Sequence, residues 1–133
     1  MALLVPDEGE VQLLKVMLGV VVAEDILLKL YTNAGPPAEG DTSASYTEVS
    51  GFGYAAITLT KGAGWTVSTS AGTSSASYAQ QQFSFSSGPV TVNGYYMVGV
   101  TSGKVLWAEQ FSSAAAIPAG GGFIQVTPKI ELA

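Results

Sequence analysis

The sequence contains no cysteine, no histidine and no arginine, and its five basic residues are all lysines. Without cysteine it has no disulfide and no thiolate ligand, and without histidine it has no Ser-His-Asp or Cys-His nucleophile and no imidazole ligand. Without arginine it has no bidentate clamp for phosphate or carboxylate groups. We therefore predict a protein that is not an enzyme, with no catalytic, cofactor-binding or metal-binding residues.

Charged residues are scarce, at 11% of the chain, against about 25% in an average soluble protein. Ten acidic residues against five lysines give a net charge of -5, the wrong sign for binding phosphate backbones or anionic lipid. We predict neither a nucleic-acid partner nor a membrane partner. A surface with few charges costs little to desolvate, which favours contact with other protein surfaces.

Long hydrophobic runs are also missing. The longest apolar stretch, residues 16–23, is far shorter than the roughly 20 residues needed to span a bilayer. Residues 1–6 are apolar but carry no basic residue, and Asp7 and Glu8 follow at once, which argues against a signal peptide. We therefore expect the protein to stay in the compartment where it is made.

The first segment of the chain is predicted to be helical. Asp7 stands at an N-cap position, Glu10 follows at capping-box spacing, and Val11, Leu14 and Leu18 then recur on one face of a helix over residues 8–18. This apolar stripe has two interpretations. It covers one end of a sheet in the same chain, or it docks on a neighbouring subunit, in which case Val11, Leu14 and Leu18 are interface residues.

The rest of the chain shows the period-two alternation of β-strands separated by turn residues. We predict strands over residues 25–31, 54–60, 65–67, 79–85, 90–100, 105–111 and 124–132. A length of 133 residues is typical of one compact domain. The predicted fold is mainly β: an antiparallel β-sandwich, jelly-roll or immunoglobulin-like, over residues 25–133, with one short N-terminal helix and arm over residues 1–24.

Four finer predictions concern these strands. Residues 90–100 and 105–111 form a hairpin, in which Gly94 marks a bend or bulge without changing the face on which the strand's valines lie. Pro128 lies at an edge or a break. Residues 68–77, rich in Ser, Thr and Gly, show no period and are interpreted as an exposed loop. The predicted core face comprises Ile26, Leu28, Leu30, Ile57, Leu59, Phe83, Phe85, Val98, Val100, Ile124 and Val126.

Two chemical alternatives remain open at this point. A pair of the ten carboxylates could serve a small glycoside hydrolase, but nothing in the sequence selects any two of them. The tryptophans and tyrosines could form a carbohydrate platform on a host-binding tip. Aromatic residues in strands are more often core or cross-strand pairs, and we interpret Trp65 and Trp107 in that way.

A series of segments along nearly the whole chain resembles a family of small proteins encoded by tailed bacteriophages. These segments are structural in character and contain no catalytic motif. The closing segment, residues 126–130, is Val-Thr-Pro-Lys-Ile. The others are residues 5–11, 28–33, 44–48, 53–60, 78–81, 94–96 and 106–111.

This resemblance implies a virion structural protein. Small decoration, or cement, proteins of phage heads are commonly jelly rolls or related β-sandwiches that sit as oligomers on the capsid. By this resemblance we expect a homo-oligomer, for example a trimer, that binds and stabilises the major capsid protein lattice on the surface of the phage head after assembly in the host cytoplasm. The alternative is a tail or baseplate component with a host-recognition role. The chain has no long fibrous segment, which argues against a tail-fibre shaft.

Overall fold

The computed structural model describes residues 2–132, which form a mainly β fold with antiparallel sheets in a sandwich-like arrangement. One α-helix precedes most of the strands, as predicted. A short 3₁₀ turn, Ser43–Ser45, interrupts the loop that follows the second strand. The elements are β1 (Ala2–Leu4), α1 (Asp7–Met17), β2 (Ile26–Tyr31), β3 (Ile57–Leu59), β4 (Trp65–Ser70), β5 (Thr73–Tyr78), β6 (Gln81–Phe85), β7 (Val90–Gly99), β8 (Val105–Ile117), β9 (Gly122–Val126) and β10 (Lys129–Leu132).

The strands form two layers. One layer is a five-stranded sheet in the order β1-β8-β7-β2-β3. The other contains a three-stranded sheet, β10-β5-β4, and a two-stranded sheet, β6-β9. The two smaller sheets are connected twice by the chain. β5 of the first sheet leads directly into β6 of the second, and β9 of the second leads into β10 of the first after a break at the buried Pro128. The prediction of a break at this proline is confirmed.

The core lies between the layers and contains side chains from both of them, among them Leu28 of β2, Trp107 of β8 and Phe83 of β6. Ile26 and Ile57 are partly buried and pack against this cluster. Val100 was wrongly predicted as core. It is 50% exposed, because β7 ends at Gly99 and the turn to β8 carries the next residue into solvent. The other predicted core residues are buried: Leu28, Leu30, Leu59, Phe83, Phe85, Val98, Ile124 and Val126.

The predicted hairpin of β7 and β8 is confirmed, but one assumption about β7 is wrong. Its pairing with β8 shifts register between Val92 and Gly94, and such a shift moves later side chains to the other face. Val92 and Met97 therefore belong to the main core, whereas Tyr96 and Val98 lie on the opposite face of the sheet. The irregularity at Gly94 was predicted, and its effect on the direction of the side chains was not.

Residues 68–77 are also different from the prediction. They form most of the β4–β5 hairpin, which turns at Ala71 and Gly72, both at positive φ. Trp65 pairs with Tyr78 at the base of the hairpin, with ring centroids 5.2 Å apart. Threonine and serine hydroxyls can line an exposed strand without producing an apolar alternation, so the periodicity on which the prediction relied is missing.

The helix begins one residue earlier than predicted. Pro6 is the N-cap, with extended backbone and no side-chain hydrogen bond, and Asp7 is the first helical residue. The carbonyl oxygen of Pro6 accepts the first helical hydrogen bonds, from the N–H groups of Gly9 and Glu10, and the Asp7 N–H donates to the carbonyl oxygen of Glu39 in the loop after β2. In the part of the chain that the structure describes, no helix has both the length and the apolar character to cross a bilayer.

Candidate interaction surface

The predicted interface residues of α1 lie in solvent. Val11 is 50% exposed, Leu14 is 54% exposed and Leu18, just past the helix, is 71% exposed. Of the two interpretations of the stripe, the one in which it covers a sheet end within this chain is therefore wrong. The structure brings Val11, Leu14 and Leu18 together on one exposed surface.

The exposure of α1 follows from how the helix is attached. The structure describes all eleven residues of α1, and Gly9 is the only one of them that is buried. Gly9 lies against the backbone of β8. A Cβ atom on Gly9 would meet the carbonyl oxygens of Leu106 and Val105 at 2.7 and 2.9 Å. Glu8 adds a hydrogen bond, in which the Val105 N–H donates to its Oε1 at 2.7 Å. The N-terminal end thus holds the helix, and its apolar stripe contributes little to the attachment.

Sequence reasoning identified only part of this surface. Further exposed apolar side chains surround the predicted stripe, so that the segment is apolar on more than one face. A signal was present, since a short helix that is apolar on several faces and continues into a run of valines cannot be covered by one sheet edge. We define the α1 surface as Val11, Leu13, Leu14, Met17, Leu18, Val20 and Val22, all exposed large hydrophobic residues.

A groove of about 810 Å³ lies beside the α1 surface. It runs between the segment that follows α1 and the turn between β7 and β8, and Val20, Val22 and Val100 contribute to its lining. Three of the five lysines of the chain also line it: Lys15, Lys61 and Lys104. Glu24 and Asp25 line the same groove, so lysines exceed carboxylates there by one, whereas the chain as a whole has twice as many acidic residues as lysines.

Glu24 fixes one wall of the groove. Its Oε2 accepts hydrogen bonds from the backbone N–H groups of Thr101 and Ser102 at 2.6 and 2.8 Å, and Gln12 of α1 donates to its Oε1 at 3.2 Å. Burial opposes ionisation, but the hydrogen bonds from the Ser102 side chain and from these donors outweigh it and lower the pKa of Glu24. This carboxylate therefore ties α1 and the following segment to the β7–β8 turn.

Replacement of Glu24 by glutamine should lower the free energy of unfolding and make it less dependent on pH. A carboxyl group with a lowered folded-state pKa stabilises the fold above its ordinary pKa, and the contribution is lost as the pH falls through the lowered value. We expect E24Q to cost about 1 kcal/mol at neutral pH, since the group is only partly buried. Urea denaturation at pH 7 and pH 3 measures this, and a deficit of equal size at both pH values would contradict it.

The outer face of the five-stranded sheet carries a second cluster, built on tyrosines. The rings of Tyr46 and Tyr96 stack with centroids 4.7 Å apart, and Tyr31 packs against both. The Tyr46 hydroxyl donates to Oδ2 of Asp41 at 2.8 Å. The rings of Tyr31, Tyr46 and Tyr96 are all buried, and Trp107 is fully buried in the main core. These four rings therefore have a structural role, as predicted from the sequence, and do not form an exposed flat surface on which a sugar could stack.

Two further carboxylates that lie beside tyrosines are engaged in structural contacts. Glu109 is the one buried charged residue in the described part of the chain, and its Oε2 accepts a 2.6 Å hydrogen bond from the hydroxyl of Tyr95. Glu48 forms an ion pair with Lys29 at 3.0 Å and accepts a hydrogen bond from Tyr54. Residues 2–132 contain no group of three or more acidic side chains arranged to hold a metal ion.

Comparisons with protein-family models, with curated proteins and with solved structures found no match to this chain. The resemblance to phage virion proteins therefore stays a prediction from sequence.

Proposed function

We propose that this protein is a non-enzymatic structural subunit that docks on a larger protein assembly through its α1 surface. The observation that carries the proposal is the concentration of exposed apolar side chains in residues 11–22, of which Met17, Leu18, Val20 and Val22 are each at least 67% exposed. Single exposed hydrophobic residues are ordinary on soluble proteins, but contiguous groups of them mark binding surfaces.

The charges around the surface indicate what kind of partner it fits. Lys15 forms no ion pair with any described residue, and the Nζ of Lys61 donates only to a backbone carbonyl, that of Ala23. Lys104 is half-exposed and lies 3.4 Å from a carboxylate oxygen of Glu8. A complementary partner would present an apolar patch with acidic side chains at its rim. Such an interface depends mainly on buried apolar area and should tolerate moderate salt.

The resemblance described from sequence supports a more specific assignment. By that resemblance the assembly is a phage virion, the partner is the major capsid protein, and the subunit is a decoration protein that stabilises the capsid lattice on the head surface. The small size, the sandwich-like fold and the sparsely charged surface are compatible with this role. A tail or baseplate position is the alternative, and the two differ in copy number, which is in the hundreds for head decoration and far lower for tail parts.

The proposal predicts that Leu14→Glu abolishes attachment while the monomer stays folded. Leu14 is 54% exposed, so a carboxylate there remains hydrated and should cost less than about 1 kcal/mol of stability. Desolvating the same charge in an apolar interface is unfavourable by several kcal/mol, equivalent to at least a hundredfold loss of affinity. The measurement is loading of purified protein onto undecorated phage heads, with circular dichroism as the check on folding.

Phe123→Glu provides the matched control. Phe123 is an exposed apolar residue on β9, 60% exposed and outside the α1 surface, so this variant should load like the native protein. A folded L14E protein that still loads fully would refute the α1 surface as the docking site. Recovery of the native protein only with isolated tails would refute the placement on the head and leave the tail alternative.

A further inference from the structure

The edge strand β4 lacks the features that normally keep sheet edges from pairing with other chains. Among the described residues it pairs only with β5, so its outer edge has no partner. Natural edge strands are protected by charged side chains, proline, bulges or short length. The sequence of β4 is WTVSTS, with no charge and no proline, and its register with β5 runs without a shift over all six residues.

The other edge strands are all shorter than β4. β1 and β3 are three residues long, and β10 has four residues, two of which, Lys129 and Glu131, form an ion pair. β6 and β9 have five residues each; like β4 they carry no charge and no proline, but they are shorter than β4 and have two buried side chains each. β4 is the longest of these strands, and all its residues after Trp65 are exposed, so another chain can approach its edge.

One face of the β4–β5–β10 sheet is apolar beyond the point where the core covers it. Trp65 packs against the main core, and two residues later on the same face comes Val67, which is 76% exposed. Val67 pairs with Ala76 of β5, which in turn pairs with Ile130 of β10. An apolar row therefore crosses the three strands and ends at the free edge, on an exposed valine.

We propose that two copies of this chain pair antiparallel through β4, which makes one continuous six-stranded sheet with Val67 of each copy beside Val67 of the other. Alternate residues of a strand direct N–H and C=O groups to each side. The Trp65 N–H already donates to the carbonyl oxygen of Gly62, so about two residues of each β4 have both groups free to gain partners. A second copy fits for two reasons. β4 carries no charge, so the β4 strands of two copies do not repel each other. In an antiparallel pair about a two-fold axis, every free N–H group of one β4 meets a carbonyl oxygen of β4 in the other copy. The proposal shares no residue with the α1 surface and does not depend on what that surface binds.

The expected affinity is modest. Pairing six residues buries less than the roughly 1,200 Å² of a standard stable interface, which places it among weak associations with micromolar dissociation constants. On a lattice that holds many copies close together, the effective concentration is in the millimolar range and the same pairing becomes nearly complete. The pairing would then link subunits that are each attached to the assembly separately.

Sedimentation velocity from about 10 µM to about 1 mM tests the proposal directly. The native protein should convert from monomer to dimer over this range. Val67→Lys places two like charges beside each other at the axis and should weaken association at least tenfold, whereas Val67→Thr keeps a neutral β-branched residue and should retain it. Val22→Lys makes the same change at an 88% exposed valine of the α1 surface and should leave dimerisation unchanged.

Cross-linking provides a second readout, because the chain has no cysteine of its own. Val67→Cys should form a disulfide-linked dimer under mild oxidation much faster than Ser84→Cys, an exposed position on β6. A native protein that is monomeric throughout, a Val67→Lys variant that associates like the native protein, or equal cross-linking of the two cysteine variants would each overturn the proposal. The docking function is separable, since V67K should still load onto heads as a monomer whereas V22K should dimerise and load poorly.

Discussion

Above about pH 10 this protein should unfold in a single cooperative step, because burial raises the pKa of five tyrosines. Burial and the nearby charges of Asp41 and Glu109 raise the pKa of Tyr31 to about 12. Burial is also the main cause of the raised pKa values of Tyr46, Tyr54, Tyr95 and Tyr96. A raised pKa means that the fold holds the proton more tightly than the unfolded chain, so stability is complete below the ordinary tyrosine pKa and is lost as the pH rises above it.

The size of this effect follows from the number of groups. Each tyrosine that stays protonated in the fold but ionises in the unfolded chain removes roughly 1.4 kcal/mol of stability per pH unit. Five of them together remove about 14 kcal/mol over two units, which is as much as the full stability of most single domains. Tyrosinate absorbance and far-ultraviolet circular dichroism should therefore change together between about pH 10 and pH 12. Tyr46→Phe removes one such group and should shift the midpoint to higher pH. Gradual ionisation with an unchanged circular dichroism signal would contradict the expectation.

Gly94→Ala should be the most destabilising single-methyl addition in the central sheet. A Cβ at this position of β7 would collide with the carbonyl oxygen of Glu109 on the neighbouring strand and would lie 2.5 Å from the hydroxyl of Tyr31. Neither group can move freely, since Glu109 belongs to the β7–β8 ladder and Tyr31 is fully buried. We expect a loss of about 3 kcal/mol or more, measured by thermal or urea denaturation.

Gly40→Ala is the control for this experiment. Gly40 has no atom within 4 Å of the added Cβ and does not adopt a positive φ, so the same substitution should change stability by less than about 0.5 kcal/mol or slightly increase it. Equal stability of the two variants would show that the β7–β8 register can relax around Gly94 without cost.

The sequence predicted what depends on local alternation. The strands β2, β6 and β9 were found because Leu28 and Leu30, Phe83 and Phe85, and Ile124 and Val126 each alternate with polar or partly exposed neighbours. Alternation along one strand reports which residues share a face, as long as the pairing register is regular. It could not reveal that the register of β7 shifts at Gly94, because the shift is a property of the pairing with β8, a strand that follows later in the chain.

The same limit explains the α1 surface. Val11, Leu14 and Leu18 were correctly identified as one apolar face. The spacing of these residues in the sequence, however, does not report whether other parts of the chain cover that face. The contact with the sheet is made at Gly9, whose lack of a side chain lets the start of the helix approach β8 closely, while Val11, Leu14 and Leu18 remain exposed. The β4–β5 hairpin was missed for another reason, since its exposed strands need no apolar pattern.

The order of the strands in the large sheet has a consequence for how the chain folds during synthesis. Leu28 of β2 pairs with Met97 of β7, and Leu3 of β1 pairs with Glu109 of β8. The first strands to leave the ribosome must therefore wait for partners that are made much later, and contacts of such long range make folding slow. Until β7 and β8 emerge, the apolar strand Ile26–Tyr31 has only one neighbouring strand, the three-residue β3, as a partner, and this is the stage at which the nascent chain is most prone to aggregate and most in need of a chaperone.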